Sequence, residues 1–384
     1  MTEDPPAVDV AALLGRLRRE PDVEGPDLVA VDGADRLLLE TAEPLVERGP
    51  VAGPIAVVDD THGALTLGAV TLGADDVRVA QDLLVSEQAL AANAVRTGLA
   101  GSYRQLPLAE VATGARLVLA RAPKGLDALR EVAEAVAAVA APDATLLVGG
   151  RVKHLTPGMN DVLRGSFTEV SATLGRHKAR VLVSRGPRPG PSSFPRCRAD
   201  AALGLSVCAH GAAFAGARVD AGTRALLAQL DRMAPDARTA LDLGCGTGVL
   251  AVALARKRPG LEVLATDQSA AAVASATATA AVNGLADRVR VTRDDAASAL
   301  AAGSVDLVVC NPPFHLGGAV VTGIAERLFA AAGRVLRPGG ELWCVWNSSL
   351  PHRAALRRLV GPTETAHGDR RFVVTRSVRR AAIS

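Results

Sequence analysis

Short runs that are apolar at nearly every position punctuate the second half of the chain. They are Thr239-Ala-Leu-Asp-Leu-Gly244, Leu261 to Asp267, Asp306 to Cys310 and Glu341 to Trp346, with the alternating Arg288-Val-Arg-Val-Thr292 a further strand among them. A run with no polar alternation is buried on both faces, as strands of a parallel sheet covered by helices are. Helix-length stretches separate most of them, predicted over Val249 to Lys257, Ser269 to about Val282 and Gly323 to Val335. The last is predicted to end at the stop signal Arg337-Pro-Gly-Gly340. Strands alternating with helices make βαβ units, so the fold class is α/β with a mostly parallel sheet. Arg370 to Arg376 reads as one arm of a terminal antiparallel pair.

The first half repeats this rhythm. Val10 to Arg19 is amphipathic, and a helical pattern runs from Asp35. Apolar runs follow at Pro54 to Asp60, Ala64-Leu-Thr-Leu-Gly-Ala69, Val77 to Asp82, Leu117 to Ala120 and Thr145 to Gly150, with a long alanine-rich helix from about Leu126 to Ala140. Landmarks recur at a nearly constant separation of 183 to 190 residues: Asp59 with Asp242, Asp82 with Asp267, Gly98 with Gly284, Pro123 with Pro312, and Gly149-Gly150 with Gly339-Gly340. At 384 residues two domains are the natural expectation, and the register indicates a duplicated one. Residues 185 to 200, RGPRPGPSSFPRCRAD, hold four prolines and are expected to contain no regular element. The expected boundaries are therefore 1–185, a linker at 186–200, and 201–384.

Net charge is +3, too mild to diagnose a polyanion partner. Arginines do gather in the linker and at the C-terminus, where Arg370, Arg371, Arg376, Arg379 and Arg380 could meet phosphates. The five cysteines (Cys197, Cys208, Cys245, Cys310, Cys344) form no CxxC pair, and reduced thiols in a cytoplasmic protein are expected. The acidic, proline-bearing start does not resemble a signal peptide, and no apolar run approaches the ~20 residues that span a bilayer. No membrane, no metal and a monomer are the expectations.

Two stretches carry the chemistry. Asp242-Leu-Gly-Cys-Gly-Thr-Gly248 follows a strand and opens a helix. Gly244, Gly246 and Gly248 let the backbone turn tightly and approach a ligand that a β-carbon would exclude. Asp267 ends the next strand, where a carboxylate accepts from ribose hydroxyls. Asp295, after the third strand, is placed to receive an adenine amine, and Asp242 to orient the loop or meet a ligand ammonium through water. The second stretch is Asn311-Pro312-Pro313-Phe314, which leaves the fourth strand stiffly at its carboxyl end, where open α/β sheets bind ligands. The first half has Asp59-Asp-Thr-His-Gly63 and Arg121-Ala-Pro-Lys124 instead, so that copy is expected to be catalytically dead.

Residues 239 to 346 resemble class I S-adenosylmethionine-dependent methyltransferases, with NPPF similar to the motif of amino-group methyltransferases. Phe214-Ala-Gly-Ala-Arg-Val-Asp220-Ala-Gly-Thr-Arg224, NPPFHLGG, and Arg371-Phe-Val-Val-Thr-Arg376 extend the resemblance to the bacterial rRNA guanine-N(2)-methyltransferases, in which a degenerate methyltransferase-like domain precedes the active one. The resemblance implies two tandem Rossmann-like domains with an antiparallel C-terminal edge, S-adenosyl-L-methionine as cofactor, a guanine of ribosomal RNA as substrate, and a role for Asp220 and its loop in closing over the cofactor. The Asn311 carboxamide and the Pro312 carbonyl could each accept one hydrogen of the target amine, holding its nitrogen toward the methyl. Phe314 would stack on the base, a contact worth ~1–3 kcal/mol. His315 is expected to be a hydrogen-bonding loop residue rather than a base. NPPF alone also permits an adenine amine or a protein glutamine amide, and a non-catalytic RNA-binding or assembly factor is the alternative from another class.

Overall fold

The computed structural model describes residues 9–25, 28–47, 53–312 and 318–381. The chain divides into two compact units between Phe194 and Pro195. In the first, α1 (Val10–Arg16) and α2 (Gly33–Glu47) precede β1 (Ile55–Val58), α3 (Ala64–Thr71), β2 (Val77–Ala80), α4 (Leu84–Thr97), β3 (Tyr103–Gln105), α5 (Leu108–Val111), β4 (Leu117–Arg121), α6 (Leu126–Val139), β5 (Thr145–Arg151), α7 (Pro157–Ser166), β6 (Phe167–Ala172) and β7 (Ala179–Pro187). The second opens on a hairpin, β8 (Arg196–Asp200) and β9 (Leu205–Ala209). It continues through α8 (Ala221–Leu227), β10 (Thr239–Leu243), α9 (Val249–Lys257), β11 (Glu262–Asp267), α10 (Ala270–Val282), β12 (Val289–Arg293), β13 (Val305–Cys310), α11 (Gly318–Val335), β14 (Leu336–Asn347), α12 (His352–Leu359), β15 (Thr363–Gly368) and β16 (Phe372–Val378).

Each unit has one seven-stranded sheet, and the two sheets share one topology: β3-β2-β1-β4-β5-β7-β6 and β12-β11-β10-β13-β14-β16-β15. The first five strands of each order are parallel and the last two pairings antiparallel, because the final strand is inserted beside the fifth and alone runs against the rest. Apolar clusters cover both faces of each sheet, which is why β1 and β13 are buried at every position. In the second unit strand order reverses between β10 and β13, so their carboxyl ends border the crevice of a doubly wound sheet.

Strand register aligns the copies residue by residue. Ile55 pairs with Val77 and Leu117, as Ala240 pairs with Val263 and Leu307. Counting along from those rungs sets Asp59 against Gly244, Gly63 against Gly248, and Arg121 against Asn311. Both Gly63 and Gly248 cap their helices in the left-handed conformation. Four of the sequence landmarks therefore shift, among them Pro312, whose counterpart is Ala122 and not Pro123. Asp59 is two residues from the true counterpart of Asp242, and Asp82 is one from that of Asp267. Gly149-Gly150 sits at the carboxyl end of β5, whereas Gly339-Gly340 lies early in β14. The duplication stands on the topology, and single residues drift because the connections differ in length.

Four local expectations are corrected. Ala64 to Ala69 is helical: a run buried on all sides serves a short internal helix as well as a strand. Arg337-Pro-Gly-Gly340 lies inside β14, as an irregularity where β13 residues Val305 and Leu307 face Leu336 and Glu341. The expected linker is ordered at both ends, since β7 runs to Pro187 and the proline-free Arg196–Asp200 pairs with β9. That pairing sets Cys197 opposite Cys208 with Cα atoms 4.0 Å apart, and the two form a disulfide rather than free thiols. Cys245, Cys310 and Cys344 are free and buried. Among the described residues no helix is long and apolar enough to cross a membrane, and no cluster of metal-ligating side chains occurs.

Candidate active site

The glycine loop after β10 is left-handed at all three glycines, with φ of 74° at Gly244, 53° at Gly246 and 74° at Gly248. They have different reasons to be glycine. A β-carbon on Gly244 or Gly246 would meet nothing within 4 Å, so open space lies beside the loop. On Gly248 it would strike the Cβ and Cα of Ala276 at 2.8 and 2.9 Å, so this glycine lets α9 approach α10. The Gly244 and Cys245 amides donate to the Thr266 carbonyl. Asp267 ties the crevice together: Oδ2 accepts from the Gly246 amide and Oδ1 from that of Ser269, both at 3.0 Å.

Asp242 lies beneath this loop, fully buried. Its Oδ2 accepts from the Ala251 amide at 3.0 Å, while Oδ1 has no partner. Burial pushes its carboxyl up to about 7, and the charge of Asp267 adds to the rise. An orphaned carboxyl oxygen under a glycine cradle with free space fits a ligand bearing an ammonium and a ribose, with Gly244 and Gly246 approaching it and Asp267 receiving the hydroxyls. Asp295 is ion-paired with Arg327 of α11. Its neighbour Asp294 is buried and accepts from Ser298 and Ala299, which fixes the turn after β12.

Beside the loop, β13 delivers Asn311. Its Nδ2 donates to Thr223 Oγ1 at 2.9 Å and to both Asp220 oxygens at 3.3 Å. Asp220 also caps α8, accepting from the Gly222 and Thr223 amides at 2.9 and 3.1 Å, and takes the Thr223 hydroxyl at 2.5 Å. Asn311 Oδ1 is buried and has no partner. Gly222 lies close by: an added β-carbon there would lie 3.1 Å from Asp220 Oδ1, 3.4 Å from the Phe372 ring and 3.5 Å from Asn311 Oδ1. Pro312 is buried, and Pro313, Phe314 and His315 lie outside the described residues. Sequence reading reached Asp220 only through a resemblance and overlooked Thr223 and Gly222; the Asp-x-x-Thr cap pattern was their one signal.

The first unit holds the same scaffold with altered chemistry. Asp32 Oδ1 accepts from the Ala34 and Asp35 amides at 2.8 and 3.4 Å, repeating the Asp220 cap. Asp35 thus takes the place of Thr223, and Arg121 that of Asn311. The Arg121 guanidinium donates to Asp35 Oδ1 at 2.6 Å and to Asp32 at 2.7 and 3.1 Å. Burial lifts the Asp35 carboxyl to about 6 despite that cation, while at Asp32 the bond and charge of Arg121 outweigh burial and hold it at about 2. Asp59, in Gly244's place, keeps a left-handed φ of 58°.

At the C-terminus, Arg376 is taken up by Glu341 and Glu364 at 2.6 and 3.1 Å, and Arg371 lies over the Phe372 ring. The basic cluster foreseen there is thus smaller by at least Arg376.

Two family descriptions match the chain, an RLMG N-terminal domain over residues 8–188 and a methyltransferase small domain over residues 204–376. The ribosomal RNA large subunit methyltransferase G of Pseudomonas paraeruginosa is 38% identical over 94% of this chain and 96% of its own length. The protein of that name from Streptomyces coelicolor is 36% identical over 94% of this chain and 97% of its own length. Among solved structures, the Thermus thermophilus 16S rRNA N2 G1207 methyltransferase, in complex with AdoMet and guanosine, superposes with a TM-score of 0.73 at 24% identity, covering 95% of this chain and 100% of that one. Family models over both units and relatives matched along nearly their whole length leave one conclusion: the chain is an S-adenosylmethionine-dependent methyltransferase and belongs to the ribosomal RNA large subunit methyltransferase G family.

Proposed function

We propose that the chain methylates the exocyclic N2 amine of a guanine in large-subunit ribosomal RNA, with the chemistry confined to the second unit. The relatives' names supply the RNA, and the amine rests on Asn311: a buried carboxamide oxygen without a partner, at the carboxyl end of β13 and next to the glycine loop. S-adenosylmethionine supplies an already activated methyl group, so the protein's task is alignment. Asp242, Gly244, Gly246 and Asp267 would hold it, with Asp295 reaching the adenine only in competition with Arg327.

An exocyclic amine has its lone pair delocalised into the ring. Asn311 Oδ1 and the Pro312 carbonyl would each accept one of its hydrogens, which points the nitrogen at the methyl and favours the positive charge that develops there. The ammonium formed loses its proton without a dedicated base. A target within a helix would have to be unstacked first, and Phe314 is proposed as the surface that receives the base. The first unit, lacking the glycine cradle and the amide, would serve as scaffold or RNA contact, and we place the enzyme in the cytoplasm as a monomer.

Asn311→Ala should leave S-adenosylmethionine binding within about twofold of wild type and abolish methyl transfer to large-subunit rRNA, offered free and as assembled subunits. Mapping the product nucleotide would then test the base. A modified adenine, or methyl transfer to a ribosomal protein glutamine, would replace the guanine reading.

A further inference from the structure

Asn311 can serve the proposed reaction only if its carboxamide presents oxygen, not nitrogen, to the target amine. The two faces of an amide are nearly isosteric, so something must choose between them. We infer that Thr223 makes this choice, acting with Asp220 as a positioning residue for the Asn311 amide; the inference rests on the role proposed for Asn311. A carboxylate such as that of Asp220 accepts hydrogen bonds and offers none. The Thr223 hydroxyl donates to Asp220 Oδ2 at 2.5 Å, which commits its proton and leaves only lone pairs facing Asn311. Thr223 Oγ1, at 2.9 Å from Asn311 Nδ2, is therefore an acceptor, as are both Asp220 oxygens at 3.3 Å. A flipped amide would set its oxygen against three acceptors. The nitrogen must face the α8 cap, and Oδ1 is left as the free acceptor.

The first unit gives an independent reading of the same coupling. Where Asp35 replaces Thr223, the position facing it holds Arg121 instead of an amide, and the two pair at 2.6 Å. A second carboxylate would leave the site doubly negative, and the residue opposite is a cation. Position 223 thus sets what position 311 can be, in both copies of the scaffold.

Thr223→Val removes the hydroxyl and keeps the volume. With the acceptor gone, the amide is held only by the two longer Asp220 contacts. The expected result is a fall in kcat of about 10- to 100-fold, the scale of a reacting group misplaced by an ångström or less. KM for large-subunit rRNA and the Kd for S-adenosylmethionine should stay within about twofold. Thr223→Ser, which restores the hydroxyl, should recover kcat to within about threefold, and Thr223→Ala, free of the added methyl of valine, should behave as Thr223→Val. A purely structural threonine would show parallel loss of kcat, Kd and melting temperature, or no rescue by serine; either overturns the inference. So does wild-type kcat in Thr223→Val while Asn311→Ala is dead, an outcome that leaves the proposed function standing. Transfer by Asn311→Ala at the wild-type rate would instead remove the proposed role of Asn311, and this inference with it.

Discussion

Replacing Arg121 by methionine removes a cation from the first unit while keeping most of its volume. Arg121 contacts Asp35 at 2.6 Å and Asp32 at 2.7 and 3.1 Å. Burial holds the Asp35 carboxyl at about 6 even with that cation present, and a rise of roughly two pK units means ~3 kcal/mol against its charged form. Asp32, with 21% of its side chain exposed, is held at about 2 by Arg121 against the upward push of burial. Allowing for solvent, that depression is worth about 2 kcal/mol, which the variant forfeits. With the Asp35 penalty made worse, the first unit should lose roughly 3 kcal/mol at pH 8, the low end for breaking a buried pair from one side. The loss must depend on pH. Without Arg121 both carboxyls have folded values above their unfolded ones, so their stabilisation is complete below about pH 4 and disappears as pH rises through the folded values. The deficit is largest at pH 8 and narrows toward pH 5. Hydrogen exchange at the β4 and β5 amides of the full chain reads this locally, where a single melting temperature would mix two units. Asp32→Asn and Asp35→Asn added together should recover most of the loss. A deficit that is the same at pH 5 and 8, or a triple variant no more stable than Arg121→Met, would refute the electrostatic account.

Other expectations concern the second unit. Asp242, raised to about 7 by burial, stabilises the ligand-free unit below about pH 4 and loses that contribution as pH rises through 7. S-adenosylmethionine affinity should accordingly climb between pH 6 and 8 with release of a proton, seen by calorimetry in buffers of different ionisation enthalpy, and Asp242→Asn should flatten both trends. Gly248→Ala drives a β-carbon to within 2.8 Å of Ala276 and should cost about 2–3 kcal/mol with loss of soluble expression. Gly246→Ala meets open space and should cost only ~1 kcal/mol in a melting experiment, yet weaken S-adenosylmethionine binding more than tenfold. If both glycine variants lose binding only in proportion to stability, the cradle role assigned to Gly246 is wrong.

The parts of the site legible in the sequence are those written in consecutive residues. The glycine loop declares itself by spacing after an apolar run, and the corner after β13 by two prolines that no strand interior holds. Asp267 follows from its place at the end of the next strand, 19 residues past Gly248. What stayed hidden is whatever the fold brings together from afar. Thr223 and Asn311 are 88 residues apart, and their hydrogen bond depends on α8 being set against β13. Arg121-Ala-Pro-Lys124 was legible as the counterpart of Asn311-Pro-Pro-Phe314, but matching Pro123 to Pro312 misses the register by one residue, which the hydrogen-bonded strands restore. The disulfide escaped for a similar reason, since a proline-rich stretch disguises the strand that carries Cys197.

The ion triad of Asp32, Asp35 and Arg121 also bears on whether the first unit, proposed to be inactive, could acquire the second unit's site by stepwise mutation. Placing an amide at position 121 strands two carboxylates, and placing a hydroxyl at position 35 leaves the guanidinium with Asp32 as its one carboxylate among these. Each single change is therefore unfavourable before the next can help, and a glycine at position 59 would be needed as well. If the first unit is inactive as proposed, its interlocked charges would hold it in that state.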